Sequence, residues 1–426
     1  MDNKVMTAVV IGCGDRGKTV YCSMQEKFPD KMKIVAAADI DKSRLEAMKR
    51  DFDIPDENLF CDADELLKKP KMADVAFICT LDRDHYRYAI PAMKKGYQLL
   101  LEKPVSPDLK ECVEIAETAK ETGRDVVVCH VLRYTAFYRK IKDLLDDGAV
   151  GQIVSIQALE PVMYWHQAHS FVRGNWRRSD ETSPMILQKC CHDLDIFVWL
   201  TGKKVDTVSS FGSLSYFKEE NVPEGSADRC LDCSVEKDCP YSAPRLYLNN
   251  IRNGNFGWPV SVVCPDPTEE KVTEALRTGP YGRCVFRCDN NVVDHQVVNL
   301  LMEDGITVNF TMCAFTKPGG RRIRIMGTTG EIEGDFDMNK IQIRPFNGDD
   351  YEIDVSAGVA DFGGHGGGDA GIIRDLIELI TEGKRPDGIT SVDVSLESHY
   401  AALAAEKSRL CGGSPVKIRD FIKDIG

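Results

Sequence analysis

Strand-like and helix-like stretches alternate over the first 130 residues. The strand-like runs are Thr7–Ile11, Ile34–Ala38, Val75–Cys79, Gln98–Leu101 and Asp125–Cys129. Between the last two, Leu109, Cys112, Val113 and Ala116 recur at i, i+3, i+4 and i+7, one face of a helix that Ser106 can cap and whose first turn suits Pro107. Such alternation predicts βαβ units and a parallel sheet. Past residue 150 the pattern changes. Gln152–Glu160 is strand-like, His295–Phe315 reads as two strands around an Asp304-Gly305 turn, and residues 321–337 and 340–355 hold strand-like runs parted by glycine-containing turns. Helical stretches near Ala370–Thr381 and Ser391–Leu410 finish the chain. A chain of 426 residues exceeds one ordinary domain. The expected fold class is α/β: a nucleotide-binding domain over residues 1–130, then a second domain over 131–426 with a cysteine-rich insert near 225–290.

The first run leads into "AVVIGCGDRG" at residues 8–17. Gly12 permits a tight turn, Gly14 lets backbone N–H groups approach a pyrophosphate, and Gly17 allows close helix–strand packing. The spacing alone is weak in a chain with 34 glycines. Here it follows a strand directly, precedes a helix-compatible stretch, and is joined by Asp39 at the end of the second run. A carboxylate there accepts hydrogen bonds from ribose hydroxyls and repels a 2′-phosphate, so the expected cofactor is NAD rather than NADP. Ligands of such sheets bind beyond the carboxyl ends of strands. Asp15 and Arg16 of the loop, Thr80 and His85 of "CTLDRDHY", and Glu102 and Lys103 of "LLLEKPVS" therefore join the glycines and Asp39 as candidate cofactor contacts. Lys103, beside the rigid Pro104, can reach nicotinamide and substrate together.

The net charge of −13 argues against nucleic acid or an anionic membrane surface as the main partner. No run reaches the ~20 apolar residues that a bilayer requires, and the first apolar run stops at glycine, unlike a signal peptide. Sixteen cysteines without an export signal read as reduced thiols, some bound to metal, and point to the cytoplasm.

"VVIGCGDRG", "AAADID", "LEKPVS" and "CHDLDIFVWLTG" together resemble the Gfo/Idh/MocA family, named for glucose–fructose oxidoreductase, inositol dehydrogenase and a rhizopine-catabolism protein. The motifs run in order from residue 8 to about 202. The resemblance implies a Rossmann domain followed by an α/β domain with a large, mostly antiparallel sheet, assembly as a homodimer or homotetramer, and sugar-like or polyol substrates. It places the family's lysine at Lys103, its histidine at His192 and the following aspartate at Asp195. Where many members carry an aspartate four residues before that histidine, this chain has Gln188, followed by Lys189. Hydride leaving a carbinol carbon requires that the hydroxyl proton go to a positioned base. The expected acid–base pair is His192 and Lys103, with His192 taking the proton and Lys103 orienting the hydroxyl, or the two exchanging roles, and Asp195 is expected to orient the imidazole.

"MYWHQAHSFVRGNWRR" (residues 163–178) is dense in rings and donors. Tyr164, His166, His169, Arg173 and Trp176 are types that grip sugars by stacking and hydrogen bonding. With Arg133, Gln188, Lys189 and His365 of "GGHGGGD" they make up the candidate substrate contacts. Cys230, Cys233 and Cys239 follow a C-x2-C-x5-C spacing, and "GRCVFRC" adds Cys284 and Cys288. Thiolates so spaced suit a structural zinc site, or alternatively an iron–sulfur cluster.

Three functions fit these features. The leading one is an NAD-dependent oxidoreductase acting on a sugar, glycoside or cyclitol. A second is a glycosidase that uses bound NAD transiently through oxidation, elimination and reduction. A third is a non-catalytic NAD-binding regulator, which retention of both Lys103 and His192 disfavours.

Overall fold

The computed structural model describes residues 4–358 and 365–423. The apolar runs of the N-terminal part become β1 (Met6–Ile11), β2 (Met32–Ala38), β3 (Leu59–Phe60), β4 (Val75–Ile78), β5 (Gln98–Leu101) and β6 (Val126–Val128). They form one parallel sheet in the order β3-β2-β1-β4-β5-β6, the doubly wound arrangement whose ligand crevice lies beyond the carboxyl ends of the central strands. Both faces are covered. Val10 and Phe77 face one core, Val9 and Ile78 the other, which is why these strands show no polar alternation. The two-residue β3 gives no periodic signal. The helix before β6 spans Leu109–Thr122, and its cap is Asp108, which accepts from Lys110 N at 2.8 Å. The expected cap, Ser106, instead accepts from Asp108 N at 3.0 Å and donates to Glu111.

The second sheet has nine strands: β7 (Ile153–Pro161), β8 (Val205–Ser213), β9 (His295–Met302), β10 (Thr307–Cys313), β11 (Arg322–Gly327), β12 (Gly330–Asp335), β13 (Lys340–Pro345), β14 (Tyr351–Asp354) and β15 (Val416–Lys417). Their order is β14-β13-β12-β11-β7-β10-β9-β8-β15, antiparallel except for the β7–β10 pair. The hairpin of β9 and β10 turns where Asp304 and Gly305 both adopt positive φ. One face packs on the helices Ala136–Asp146, Cys191–Thr201 and Val392–Leu410. Among the described residues no helix is long and apolar enough to cross a membrane.

The C-terminal helices join the two sheets. Ile372, Ile373 and Leu376 of helix Gly368–Glu382 enter the core that holds Val10 and Phe77, although they lie far beyond residue 130. Helix Val392–Leu410 buries Val392 and Leu396 with the first sheet and Ala401–Ala405 with the second. The return of the chain places His365 and Asp369 at the glycine-loop end of the first sheet; Gly363 and Gly364 of the same motif lie outside the described residues. The insert folds around a small core of Ala243, Tyr247, Leu248, Val260, Val272 and Leu276.

Candidate active site

The glycine loop leaves β1 with Gly12 at φ +93°, where a Cβ would lie 2.6 Å from Cys79 O; a Cβ on Gly17 would lie 2.0 Å from Gly12 O. Gly14 differs, because its Cβ would meet only the tip of Arg44 at 3.7 Å. The room at Gly14 is therefore open toward the crevice, where a pyrophosphate would approach the backbone. Asp39 is buried at the end of β2 and accepts from Cys13 N at 2.7 Å and Asp41 N at 2.9 Å. Arg44 stands 3.5 Å from the same carboxylate. At the end of β4, Thr80 Oγ1 is buried without a partner, a polar atom that suits a ligand contact. These residues fit a dinucleotide.

Arg16 spans the crevice. Its Nε donates to Glu102 Oε1 at 2.6 Å and its Nη2 to Asp369 Oδ1 at 2.8 Å, while Tyr21 OH donates to the same Glu102 oxygen. Burial alone would raise the Glu102 carboxyl, but Arg16 and Lys103 hold it below its ordinary value. Asp15 is raised, chiefly by burial. His85 is turned away from the crevice. Its ring nitrogens face Pro104 O at 2.8 Å and Thr80 O at 3.2 Å, so it braces the two loops rather than reaching a ligand.

Lys103 Nζ donates to the backbone oxygen of Gln188 at 2.8 Å. The residue that departs from the family pattern thus holds the lysine through an uncharged carbonyl. His192 lies in the first turn of helix Cys191–Thr201, buried, with Nδ1 lacking a partner. Burial, reinforced by Lys103, His130, Arg321 and His365, pushes its pKa well below the ordinary histidine value. Its ring faces His130 at 5.9 Å and His365 at 6.2 Å. His365 Nδ1 pairs with Asp369 Oδ2 at 2.9 Å.

Several expected residues have other work. Asp195 does not orient His192; both its oxygens accept from Arg133, at 2.6 and 2.7 Å, and the pair is sealed from solvent. Arg133 is therefore not a substrate contact either. Breaking a buried pair strands the remaining charge. Arg133→Met is expected to lower stability by ~3–5 kcal/mol, and Arg133→Met/Asp195→Leu to recover much of it. Denaturant unfolding checks both variants, and a neutral single substitution would contradict the buried pair. Lys189 is paired with Glu160 at 3.3 Å, and Glu160 and Asp193 share Arg321. Burial pushes the Asp193 carboxyl above its ordinary value, with Arg321 opposing and Glu160 adding to the shift.

The aromatic stretch divides in two. His166 stays at the site, its pKa depressed by burial and by Lys189, His169, Lys103 and His365. His169 and Arg173 point into the insert instead. His169 bonds Tyr247 OH at 2.8 Å and stacks on Tyr281, while Arg173 Nε donates to Arg283 O at 2.7 Å. Tyr164 rests against Tyr241, and Trp176 Nε1 donates to Asp82. Two residues not foreseen complete the wall. Trp165 and Trp258, the latter from the insert, lie 5.2 Å apart, and Trp258 stands 4.9 Å from His166.

The expected five-thiol metal set is also corrected. Cys230, Cys233, Cys239 and Cys284 line one cavity, but Cys288 turns away and donates to Cys284 O. As the side chains stand, no group of three or more His, Cys, Asp or Glu among the described residues is drawn together as a metal site.

Comparison with known proteins agrees with this architecture. Residues 6–130 match the model of an oxidoreductase family's NAD-binding Rossmann fold, and residues 142–356 match the same family's C-terminal α/β domain. The putative oxidoreductase YteT of Bacillus subtilis is 25% identical over 394 residues, covering 86% of this chain and 87% of YteT. The scyllo-inositol 2-dehydrogenase (NAD(+)) of the same organism is 28% identical over 287 residues, 64% of this chain and 77% of that one. The WlbA dehydrogenase of Bordetella pertussis, solved with NADH and UDP-GlcNAcA, superimposes with a TM-score of 0.71 at 15% identity, covering 98% of this chain and 99% of WlbA. With both family domains matched in order on a doubly wound sheet and its mixed-sheet partner, the chain belongs to the Gfo/Idh/MocA family of NAD-binding oxidoreductases.

Proposed function

We propose that the protein is an NAD-dependent dehydrogenase acting on a hydroxyl-bearing carbon of a sugar, glycoside or cyclitol. The observation that carries this reading is His192: a buried imidazole with Nδ1 unpartnered, its ring 5.9 Å from that of His130 just past β6, and its pKa held below the ordinary value by burial and then by Lys103. Bound NAD supplies the hydride acceptor. Gly12, Gly14, Asp15, Arg16, Gly17, Asp39, Thr80 and Glu102 form its bed. The Asp39 carboxylate opposes a 2′-phosphate, which favours NAD over NADP.

The ammonium of Lys103 spends one hydrogen bond on Gln188 O and has two N–H groups left to orient the substrate hydroxyl and stabilise charge developing on its oxygen. A neutral His192 accepts the hydroxyl proton. Trp165 and Trp258 offer aromatic faces to the C–H face of a ring substrate, with His166 packed against both as a hydrogen-bonding group. Phe211 and Leu301, exposed on the outer face of the second sheet, support a homodimer or homotetramer built there. Sixteen free thiols accord with a cytoplasmic setting.

The test is net NADH formation from NAD with a panel of sugars, glycosides and cyclitols. Binding of NAD with no turnover across the panel would leave the regulator reading in its place. One observation favours the redox-neutral reading as a second choice. The His365–Asp369 pair supplies a second imidazole beside His192, as a proton-transfer step beyond hydride transfer would need. Release of an aglycone without net NADH, lost when NAD is stripped, would select that reading.

A further inference from the structure

We propose that Cys230, Cys233, Cys239 and Cys284 form a closed tetrathiolate site for one divalent ion of the zinc class, with buried Arg173 as its counter-charge. The four residues come from two segments joined by backbone. Cys230 opens a short helical turn that Cys233 follows, Cys239 ends the next turn, and Cys284 N donates to Asp228 O at 2.8 Å. An antiparallel bridge between Arg229 and Arg283 fixes the approach. All four side chains line a single cavity of about 20 Å³. That space admits a small ion.

Arg173 is the independent observation. It is 1% exposed, lines the same cavity, and makes no ion pair with a carboxylate among the described residues. Nε and Nη2 donate to Arg283 O and Tyr241 O, Nη2 lies 3.4 Å from Cys230 Sγ, and Nη1 is buried with no partner. Among the described residues no carboxylate is hydrogen-bonded to this buried guanidinium; Glu236, which lines the same cavity, accepts from Ser242 instead. A divalent ion held by four thiolates carries a net charge of about −2, which would supply the missing anion. Binding forms four metal–sulfur bonds and releases four thiol protons to solvent, with no change of oxidation state. As they stand the sulfurs line the cavity without converging, and binding requires that they turn toward its centre while the backbone contacts between the two segments stay. The ion would lock the 230–239 turns to the 284 segment, and through Arg173 to the stretch that presents His166 to Trp258.

The full chain, purified without chelators, is expected to hold about one zinc-class ion per chain. Expression with Co²⁺ replacing zinc should give the sulfur-to-cobalt charge-transfer and intense visible bands of a tetrahedral tetrathiolate. This wild-type spectrum requires no variant to fold. Cys284→Ser should lose the ion or shift the bands to a three-sulfur pattern, and Cys288→Ser should keep both. Arg173→Met should release the ion to a chelator at least about tenfold faster than Arg173→Lys. Metal-free wild-type protein without a thiolate–cobalt spectrum would overturn the proposal. So would equal loss in Cys288→Ser, or iron accompanied by acid-labile sulfide.

Discussion

His192→Ala is expected to lower turnover by about 10²–10⁴-fold while leaving NAD affinity within about twofold of wild type. The two readouts separate because His192 bonds neither the glycine loop nor Asp39; its ring faces His130 and His365 across the crevice. The pH dependence follows from burial. A neutral imidazole is the form that accepts a proton, and burial, then Lys103 and its other cationic neighbours, hold the pKa well below the ordinary histidine value. In the oxidising direction the rate should therefore be flat through neutrality and fall only in acid, as His192 takes up a proton before it is needed. Lys103→Met removes a positive neighbour, so the acid limb should move to higher pH even as the rate drops. Initial rates against pH for the wild type and both variants check this. An unaltered rate in His192→Ala, or an acid limb that ignores Lys103→Met, would remove His192 from the proton transfer.

The parts of this site that were legible in the sequence are those set by local backbone demands. The Gly12–Gly17 loop, the strand ending at Asp39 and the Lys103-Pro104 turn each declare themselves within a few residues, because a tight turn or a buried strand restricts its own composition. What failed was the assignment of partners. Arg133 and Asp195 are 62 positions apart, and nothing local says that each consumes the other. His169 and Arg173 are the types that bind sugars, yet the same types brace an insert, and only tertiary packing decides which face of residues 163–178 meets the crevice. Trp258 was invisible for the same reason, since its neighbour His166 lies in a distant segment. Ser106 and Asp108 are both competent caps two residues apart, and the structure uses the second, because the helix starts at Leu109 and Ser106 reaches only as far as Asp108 N. His365 and Asp369 stand four residues apart, yet neither their pairing nor their position beside Arg16 could be read locally, because both depend on a helix returning from the far end of the chain.

Gly17→Ala and Gly14→Ala are expected to fail in different ways, and the contrast tests the dinucleotide bed directly. An alanine methyl at residue 17 would sit 2.0 Å from Gly12 O and 3.1 Å from Gly12 C, atoms of the backbone that cannot swing aside. The loop must open or the following turns must shift, at a cost of roughly 3 kcal/mol or more, so Tm should fall even without cofactor. NAD binding should be lost with it. At residue 14 the methyl meets only Arg44 Nη1 at 3.7 Å, an ordinary contact with a mobile tip, and φ of −73° suits alanine. The folded chain should hold Gly14→Ala within about 0.5 kcal/mol of wild type. If the loop exists to let backbone N–H groups reach a pyrophosphate, that methyl nonetheless stands in the approach, and the Kd for NAD should rise about tenfold or more. Thermal unfolding of the cofactor-free chains and titration with NAD give the two axes. Wild-type affinity in a stable Gly14→Ala would show that the loop is shaped for packing alone, because the one glycine with no packing reason to be glycine would then have no binding reason either.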